Sequence, residues 1–294
     1  MSAHTRPWPF VVILFCLVSR LPLFAQLTTG GVSNVDDITT QGNHGWSECI
    51  RPSCNPGGSG VPTSFTQTFG VHNPQKDSDG SMAIAMVAGA SQNGTNGLWT
   101  YKVGPQDSAV SFQMDLWFYA DSNMLTYGKQ LEFDMANFAS TLVTANTPDG
   151  TEFMFGSQCN LEQGKQRWEI FNQAQGVWVP VTPTMPCTTT QIPPNTWHHL
   201  QEHVHRVRGD PGNCSYAGKN YPCEYYDSIT LDGTTTIPTN TNLPAGPLPH
   251  GWGSTLLIQV QINAGPNGTS GNAITTYYDL MNFTFTFCNS SVCL

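Results

Sequence analysis

The sequence predicts an all-β protein, built as a two-sheet antiparallel β-sandwich. From Asp77 onward, short segments alternate or run apolar, and each is closed by Gly, Pro, Asn or Asp. Such segments, without an amphipathic helical period, are typical of sandwiches and barrels. The 28 glycines and 21 prolines fit a turn-rich chain. Nothing repeats at a fixed period, which disfavours a propeller or a solenoid.

Residues 1–25 are predicted to be a cleaved secretory signal. Arg6 supplies a positive start, residues 7–18 form an apolar run, and cleavage is expected after Ala25. The apolar run is shorter than the roughly 20 residues that a membrane-spanning helix needs. The mature protein is therefore predicted to be secreted, extracellular or periplasmic, and free of the membrane.

The cysteines are predicted to form disulfides. Of the nine cysteines, Cys16 lies in the signal, which leaves an even number in an exported chain. A zinc site is the alternative, but no CxxC pair is present. Spacing suggests local pairs, although spacing alone cannot decide the connectivity: Cys49–Cys54, Cys159–Cys187, Cys214–Cys223 and Cys288–Cys293.

The charge composition limits the classes of partner that the protein can bind. Charged residues make up 11% of the chain, with a formal net charge of −9. Without a basic patch, nucleic acid is excluded as a partner. A polar but weakly charged surface suits neutral ligands such as poly- or oligosaccharides.

Residues 26–75 are predicted as an N-terminal extension with a disulfide loop, and residues 76–294 as the main domain.

Alternation assigns the faces of the strands, because neighbouring side chains point to opposite sides. In three segments an apolar face opposes one with acids, histidines or aromatic residues. The apolar sets are Phe112, Met114, Leu116 and Phe118, then Leu131, Phe133 and Met135, then Leu200 and Val204. The opposing sets are Gln113, Asp115, Trp117 and Tyr119, then Glu132, Asp134 and Ala136, then His199, Gln201, His203 and His205.

The order of the motifs resembles a known superfamily. DGSMAI, SFQMDLWFY, LEFDM, FGSQCN, RWEIF, TWHHLQEH, SITLDG and YYDLMNFTFTF together resemble a concanavalin A-like lectin/glucanase jelly roll, closest to uncharacterised secreted bacterial members. TWHHL followed by ITLDG is also similar to laminin G-like domains. The resemblance covers roughly residues 77–287. It implies two stacked sheets, one of them concave, with glycans lying across the concave sheet.

LEFDMAN is the candidate catalytic segment. It resembles the E-x-D-x-E or E-x-D-x-x-E motif of family 16 glycoside hydrolases, with Glu132 as the nucleophile and Asp134 beside it. The third carboxylate falls on Ala136 or Asn137, so the general acid is missing. Glu152 and Glu169 could compensate from neighbouring strands. An enzyme is therefore the minority hypothesis, and no catalytic residue is assigned firmly.

The histidines open a lyase alternative. His199, His203 and His205 share a face. A uronate lyase needs a base that takes the C5 proton and a group that neutralises the uronate carboxylate, and His, Tyr and Gln can serve in these roles. The R-T-E-x-R and Q-I-H motifs of alginate lyases with this fold are absent. The favoured interpretation is that His198 and His199 belong to a structural Trp-His pair and that the remaining histidines lie on the surface of the sheet. One ion cannot be bound by all three histidines, which spread over about 20 Å of one strand.

A structural calcium ion is a further expectation from the resemblance. Family 16 enzymes use an Asp on the last strand for calcium, and YYDLMNF places Asp279 in that context. Asp79 or Asp77, before the first core strand, could join it. The alternative is that Asp279 only bonds a neighbouring loop.

The leading prediction is a secreted, lectin-like carbohydrate-binding protein. Sugar binding needs an aromatic platform and planar polar groups on a preformed surface. Among the tryptophans, Trp168 and Trp197 are interpreted as core and Trp178 as a further candidate platform. A polysaccharide-degrading enzyme and an extracellular adhesion module are the alternatives. The predicted ligand-binding set is Trp117, Tyr119, Glu132, Asp134, Gln158 and His199, on one face.

Overall fold

The strands account for most of the residues that the structure describes. The computed structural model describes residues 27–33, 46–50, 64–87, 93–101, 108–210, 212–264 and 272–288. The strands are β1 (Leu27–Val32), β2 (Trp46–Ile50), β3 (Ser64–Val71), β4 (Ser81–Val87), β5 (Asn93–Tyr101), β6 (Ala109–Ala120), β7 (Gly128–Ala139), β8 (Thr151–Asn160), β9 (Arg167–Asn172), β10 (Val177–Pro180), β11 (Trp197–His205), β12 (Cys214–Tyr216), β13 (Lys219–Tyr221), β14 (Cys223–Leu231), β15 (Thr234–Thr236), β16 (Leu243–Pro244), β17 (Gly246–Pro247), β18 (Thr255–Ala264) and β19 (Ala273–Cys288). One helix, α1, spans Ser122–Tyr127.

Two large sheets form the body of the protein. Sheet I has the order β15-β14-β11-β6-β19-β4-β3, with β1 on β19 and β16 on β14. Sheet II has the order β10-β9-β8-β7-β18-β5-β2, with β17 on β8. The pairs within both sheets are antiparallel. The predicted all-β, two-sheet antiparallel sandwich is therefore confirmed.

The core lies between the two sheets and follows the predicted alternation. Phe112 and Phe118 of β6 are buried, as are Phe133 of β7 and Phe155 of β8. The rings of Phe118 and Phe133 lie 5.2 Å apart, and those of Phe112 and Phe155 lie 5.3 Å apart. Burying one large apolar side chain is worth about 1.5–3 kcal/mol, so these layers hold the sheets together. Trp168 is also in this core, as the sequence predicts.

The described segments of the region predicted as an extension pair with strands of the two sheets. β1 pairs with the second half of β19, β2 pairs with β5, and β3 pairs with β4. Residues 26–75 thus contribute strands to both sheets. Their turn-rich sequence hides this because strands that add to a sheet edge obtain their hydrogen bonds from a partner far along the chain.

Two predicted disulfides lie within the described residues. Cys159 pairs with Cys187, with 5.6 Å between the Cα atoms, and Cys214 pairs with Cys223 at 5.3 Å. Cys288 also belongs to a disulfide. Its predicted partner Cys293, the predicted Cys49–Cys54 pair and the signal at 1–25 lie outside the described residues. No helix among the described residues has the length and apolar character to cross a membrane.

We expect the secreted protein to contain no free thiol under denaturing, non-reducing conditions, since all eight cysteines after the signal are predicted to be paired. Thiol titration after export measures this directly. Peptide mapping should also join Cys159 to Cys187. Two or more titrating thiols would contradict the pairing scheme.

Candidate functional site

A row of planar polar side chains crosses the outer face of sheet II. Gln261 of β18 lies opposite Glu132 of β7, which lies opposite Gln158 of β8, which lies opposite Glu169 of β9. These side chains point away from the apolar core because each alternates with a core residue. They are nevertheless buried. We call this set the polar row.

Amide and guanidinium donors hold the carboxylates of the polar row. Gln261 Nε2 donates to Glu132 Oε2 at 2.6 Å, and Gln158 Nε2 donates to Glu169 Oε2 at 2.8 Å. Arg167 Nε donates to Glu169 Oε1 at 3.2 Å. Because hydrogen bonds to charged groups are stronger than neutral ones, the carboxylates are fixed in orientation. Two further amides, Asn263 and Asn160, add donors to Glu132 and Glu169.

Asp134 lies next to the polar row, two residues from Glu132 on the same face of β7. Gln259 Nε2 donates to its Oδ2 at 2.6 Å, but its Oδ1 is buried without a hydrogen-bond donor. Opposite it in the register stands Gly156. A Cβ atom on Gly156 would lie 2.6 Å from Asp134 Oδ1. The glycine therefore leaves the space in which this carboxyl group sits.

The environment of Asp134 favours its protonated form. Burial raises its pKa well above the ordinary range, and the charge and hydrogen bond of the Glu132 carboxyl raise it further. Two carboxylates can hydrogen-bond only while one of them holds a proton. Glu132 and Asp134 thus form a pair of close carboxyl groups, and their proximity favours the protonated form of Asp134. Such a pair can donate a proton or bind a hydroxyl group.

An aromatic surface borders this carboxyl pair. Trp178 of β10 stands opposite Phe171 of β9, with ring centroids 4.9 Å apart. The Trp178 ring reaches toward β8, and its tip would lie 3.1 Å from a Cβ on Gly156. Trp178 is only partly buried. A partly exposed indole ring therefore lies beside Asp134.

The structure explains the missing third carboxylate of the LEFDMAN motif. Ala136 lies in a small apolar cluster with Phe138, Leu248 and Leu257 on the outer face. A carboxylate there would be buried without a partner, at a high free-energy cost. Asn137 faces the core instead, where it accepts a hydrogen bond from Arg206 Nε at 2.9 Å.

Of the two compensating acids that the sequence offers, only Glu169 is in the polar row. It lies two strands from Glu132, which separates the backbones by about 10 Å. Glu152 lies six residues from Gln158 along β8, about 20 Å away at the rise of a strand. Burial raises the pKa of Glu152 to about 7, but it lies too far away to act with Glu132.

The predicted ligand-binding set does not share one face. β6 and β7 are consecutive, yet β6 belongs to sheet I and β7 to sheet II, and α1 connects them. The outer faces of the two sheets lie on opposite sides of the core. Alternation shows which residues point outward, but it cannot show to which sheet a strand belongs. Sheet I carries Trp117, Tyr119 and His199, whereas sheet II carries Glu132, Asp134 and Gln158.

Trp117 and His199 are packed against their neighbours on sheet I. The indole of Trp117 stacks on the His199 imidazole, with centroids 4.6 Å apart and planes 8° apart. Lys76 Nζ lies 3.7 Å from the same indole centroid. His199 Nε2 is hydrogen-bonded to Asp115 Oδ1 at 2.7 Å. The indole is thus partly occupied, unlike a free stacking platform.

Tyr119 is packed in the same manner. Its ring lies edge-on to Trp197 at 5.5 Å and to Tyr277 at 5.6 Å. These two rings come from the neighbouring strands β11 and β19, so the contacts are cross-strand pairs.

The Trp-His and Asp-Gly motifs have a structural role. His198 is buried and hydrogen-bonds through Nδ1 to Asp232 Oδ2 at 2.8 Å. The backbone N–H of His199 donates to Asp232 Oδ1 at 2.8 Å. Asp232 and Gly233 both have positive φ, as the tight turn between β14 and β15 requires. The motif therefore ties a strand to the following hairpin.

The aspartates predicted to bind calcium come together. Asp77, Asp79 and Asp279 each offer a carboxylate oxygen, and these atoms lie within 4.8 Å of one another. Asp279 Oδ2 accepts the Lys76 backbone N–H at 2.6 Å, whereas its Oδ1 is buried without a donor. Burial raises the pKa of Asp279. Oxygen donors of this kind fit calcium, which would satisfy Oδ1. Calcium binding itself stays a prediction.

Several residues of the site were not singled out from the sequence. Gln259, Gln261 and Asn263 alternate with apolar residues in STLLIQVQINA, a signal of a polar outer face. Gly156 and Arg167 carry no such signal, because their roles depend on strands that neighbour them only in the folded sheet.

No protein-family model and no curated protein matches the sequence. Solved structures align with it at low identity. Peanut lectin is 10% identical, with a TM-score of 0.44 over 90% of this chain and 100% of the lectin. A mutant of alginate lyase Aly36B in complex with alginate trisaccharide is 12% identical, with a TM-score of 0.41 over 70% and 82%. A carbohydrate esterase from the Shiga toxin-encoding bacteriophage phi24B is 14% identical, with a TM-score of 0.42 over 88% and 98%. The lectins among these structures have the concanavalin A-like fold that the sequence resembles.

Proposed function

We propose that the protein binds carbohydrate on the outer face of sheet II, at the polar row and Trp178. The observation that carries this proposal is the placement of buried, oriented carboxylates and carboxamides in register beside a partly exposed indole ring. Planar polar groups fix the hydroxyls of a sugar, and an aromatic ring covers its apolar face. The secreted location predicted from the sequence agrees with an extracellular glycan ligand.

The amide donors support a binding role for the carboxylates. Gln261, Gln259 and Gln158 each donate to a different carboxyl group of the site. In Asp134 the second oxygen, Oδ1, has no hydrogen-bond donor among the described side chains. Because the groups are already held in place, little side-chain entropy is lost when a ligand binds.

One observation favours glycoside hydrolysis as a second candidate function. Burial and the Glu132 carboxyl raise the pKa of Asp134, which favours a proton donor, and Glu169 lies in the same row as Glu132, two strands away. A proton donor and a second carboxylate about 6.5–9.5 Å apart are the requirements of an inverting glycosidase. Against this candidate, Glu169 accepts hydrogen bonds from three donors, so both of its oxygens are engaged within the protein.

A glycan array followed by titration tests the binding proposal. We expect Glu132→Gln to weaken binding about ten- to hundredfold, since a hydrogen bond to a charged group is worth about 1.5–3 kcal/mol. Trp178→Ala should also weaken it, because the stacking surface is removed. Matched controls lie at the other end of the same face: Glu152→Gln and Trp252→Ala should bind as the wild type does.

The outcomes separate the two candidates. If the wild type binds glycans and releases no reducing ends, binding is the function. If it depolymerises a glycan, and Glu132→Gln binds that glycan without cutting it, hydrolysis replaces the binding proposal. Equal losses of glycan affinity in Glu132→Gln and Glu152→Gln would contradict the placement of the site.

A further inference from the structure

Residues 72–80 connect β3 to β4 and contact the outer face of sheet I. We call this segment the strap. Lys76 joins the strap to the sheet at two points: its backbone N–H donates to Asp279 Oδ2 of β19 at 2.6 Å, and its Nζ lies 3.7 Å from the indole centroid of Trp117 on β6. Asp279 stands opposite Trp117, and Trp117 opposite His199. The strap therefore lies at one end of a cross-strand row that contains a partly buried indole.

The strap also carries two of the three gathered aspartates. Asp77 and Asp79 belong to the strap and Asp279 to the strand beneath it, and one carboxylate oxygen of each lies within 4.8 Å of the others. Like charges at this separation repel one another. The aspartates by themselves therefore favour an open strap.

A second observation points to a cation at this place. Asp279 is 0% exposed, and its Oδ1 is buried without a hydrogen-bond donor. A buried carboxylate oxygen in this state is costly unless a proton or a cation reaches it. Calcium takes about six to eight oxygen ligands, which carboxylates, backbone carbonyls and water supply together. One bound ion would both satisfy Oδ1 and remove the repulsion between the strap and the strand.

We infer that the strap is a calcium-dependent cover of Trp117. Calcium bound by Asp77, Asp79 and Asp279 holds the strap closed, and loss of the ion releases Lys76 from the indole. An ion that binds the closed state alone shifts the strap toward that state by its difference in affinity. An open strap exposes the Trp117 indole and the His199 ring that stacks on it. The outer face of sheet I thus changes with the calcium concentration.

The inference rests on the predicted calcium site and is independent of the proposed carbohydrate binding. The polar row lies on sheet II, whereas β3, β4, β6 and β19 belong to sheet I.

Acrylamide quenching of tryptophan fluorescence, in calcium and in chelator, tests the inference. The sequence contains eight tryptophans, so the contribution of Trp117 is the difference between the wild type and Trp117→Phe. We expect chelation to raise the quenching of this contribution about two- to threefold, because a segment held by few contacts opens before the sheets do.

Amide hydrogen exchange gives a second readout that needs no variant. The Lys76 N–H, which donates to Asp279, should exchange faster in chelator than in calcium. The Met124 N–H is the matched control, because it donates to another carboxylate, that of Asp121 at the start of α1. Its exchange should not respond to calcium.

Two variants separate the strap from the ion site. Lys76→Ala keeps all three aspartates, so we expect it to keep the calcium-induced rise in melting temperature and to lose the calcium-dependent protection of Trp117. Asp77→Asn should lose both responses. Lys165→Ala is the control and should keep both, since its ammonium group pairs with Glu162 instead.

The outcomes distinguish the strap from the calcium site on which it rests. A calcium-induced rise in melting temperature, with Trp117 quenching and Lys76 exchange identical in calcium and in chelator, would overturn the inference and leave the calcium site standing. The absence of any response to calcium would remove the site and the inference together.

Discussion

Raising the pH from about 5 to about 8 is expected to lower the free energy of unfolding steeply, because Glu202 is buried in the core between the sheets. Ser157 Oγ donates to its Oε1, whereas its Oε2 has no partner. Burial raises the pKa of Glu202 from 4.5 to about 8. The group is therefore protonated in the folded protein at neutral pH, while an exposed glutamate in the unfolded chain is ionised.

The sign of the effect follows from the raised pKa. The folded state binds the proton more tightly than the unfolded state, so the stabilisation is complete below the unfolded pKa of 4.5. It is lost progressively as the pH rises toward the folded pKa of about 8. The loss is about 1.4 kcal/mol for each pH unit within this window. Burial also raises the pKa of Glu224 well above its ordinary value, and Glu224 adds to the slope.

Urea denaturation at several pH values measures this dependence. Glu202→Gln, which cannot ionise, should have a shallower slope than the wild type. Glu162→Gln is the matched control, because Lys129 and Lys165 lower the pKa of Glu162 below that of a free glutamate. Its contribution is lost only on acidification. An unchanged slope in Glu202→Gln would show that this carboxyl does not hold its proton in the fold.

Removal of calcium is expected to lower the melting temperature, because Asp77, Asp79 and Asp279 gather oxygen ligands at one place. An ion that binds only the folded state stabilises it by about 2.7 kcal/mol when its concentration is 100 times the dissociation constant. The buried Asp279 Oδ1 has no donor, and an ion would satisfy it. The fold near β19 should gain most, since Asp279 lies in the middle of that strand.

Thermal melts with added calcium and with chelator test this expectation. Asp279→Asn should abolish the calcium response. Asp227→Asn is the control, because Asp227 is an exposed aspartate of sheet I that pairs with His205, away from the cluster. Identical melting curves for the wild type in calcium and in chelator would remove the site.

The pattern of the sequence predicts much of this architecture, for a physical reason. Side chains on a strand point alternately to its two faces, so a strand with one buried face has an apolar residue at every second position. The core accordingly contains Phe112, Met114, Leu116 and Phe118 of β6 and Leu131, Phe133 and Met135 of β7. Cys159–Cys187 and Cys214–Cys223 form the predicted pairs. The same alternation places Glu202 between Leu200 and Val204, hence inside the core.

The partition of strands between the sheets depends on tertiary structure alone. Trp117 and Glu132 are close in sequence and both point outward, yet they belong to different sheets. Glu132, Gln158, Glu169 and Gln261 are far apart in sequence and stand in one row. Alternation is a local property of each strand. Pairing and register are set by hydrogen bonds and core packing between distant segments, and these decide which polar groups meet at one site.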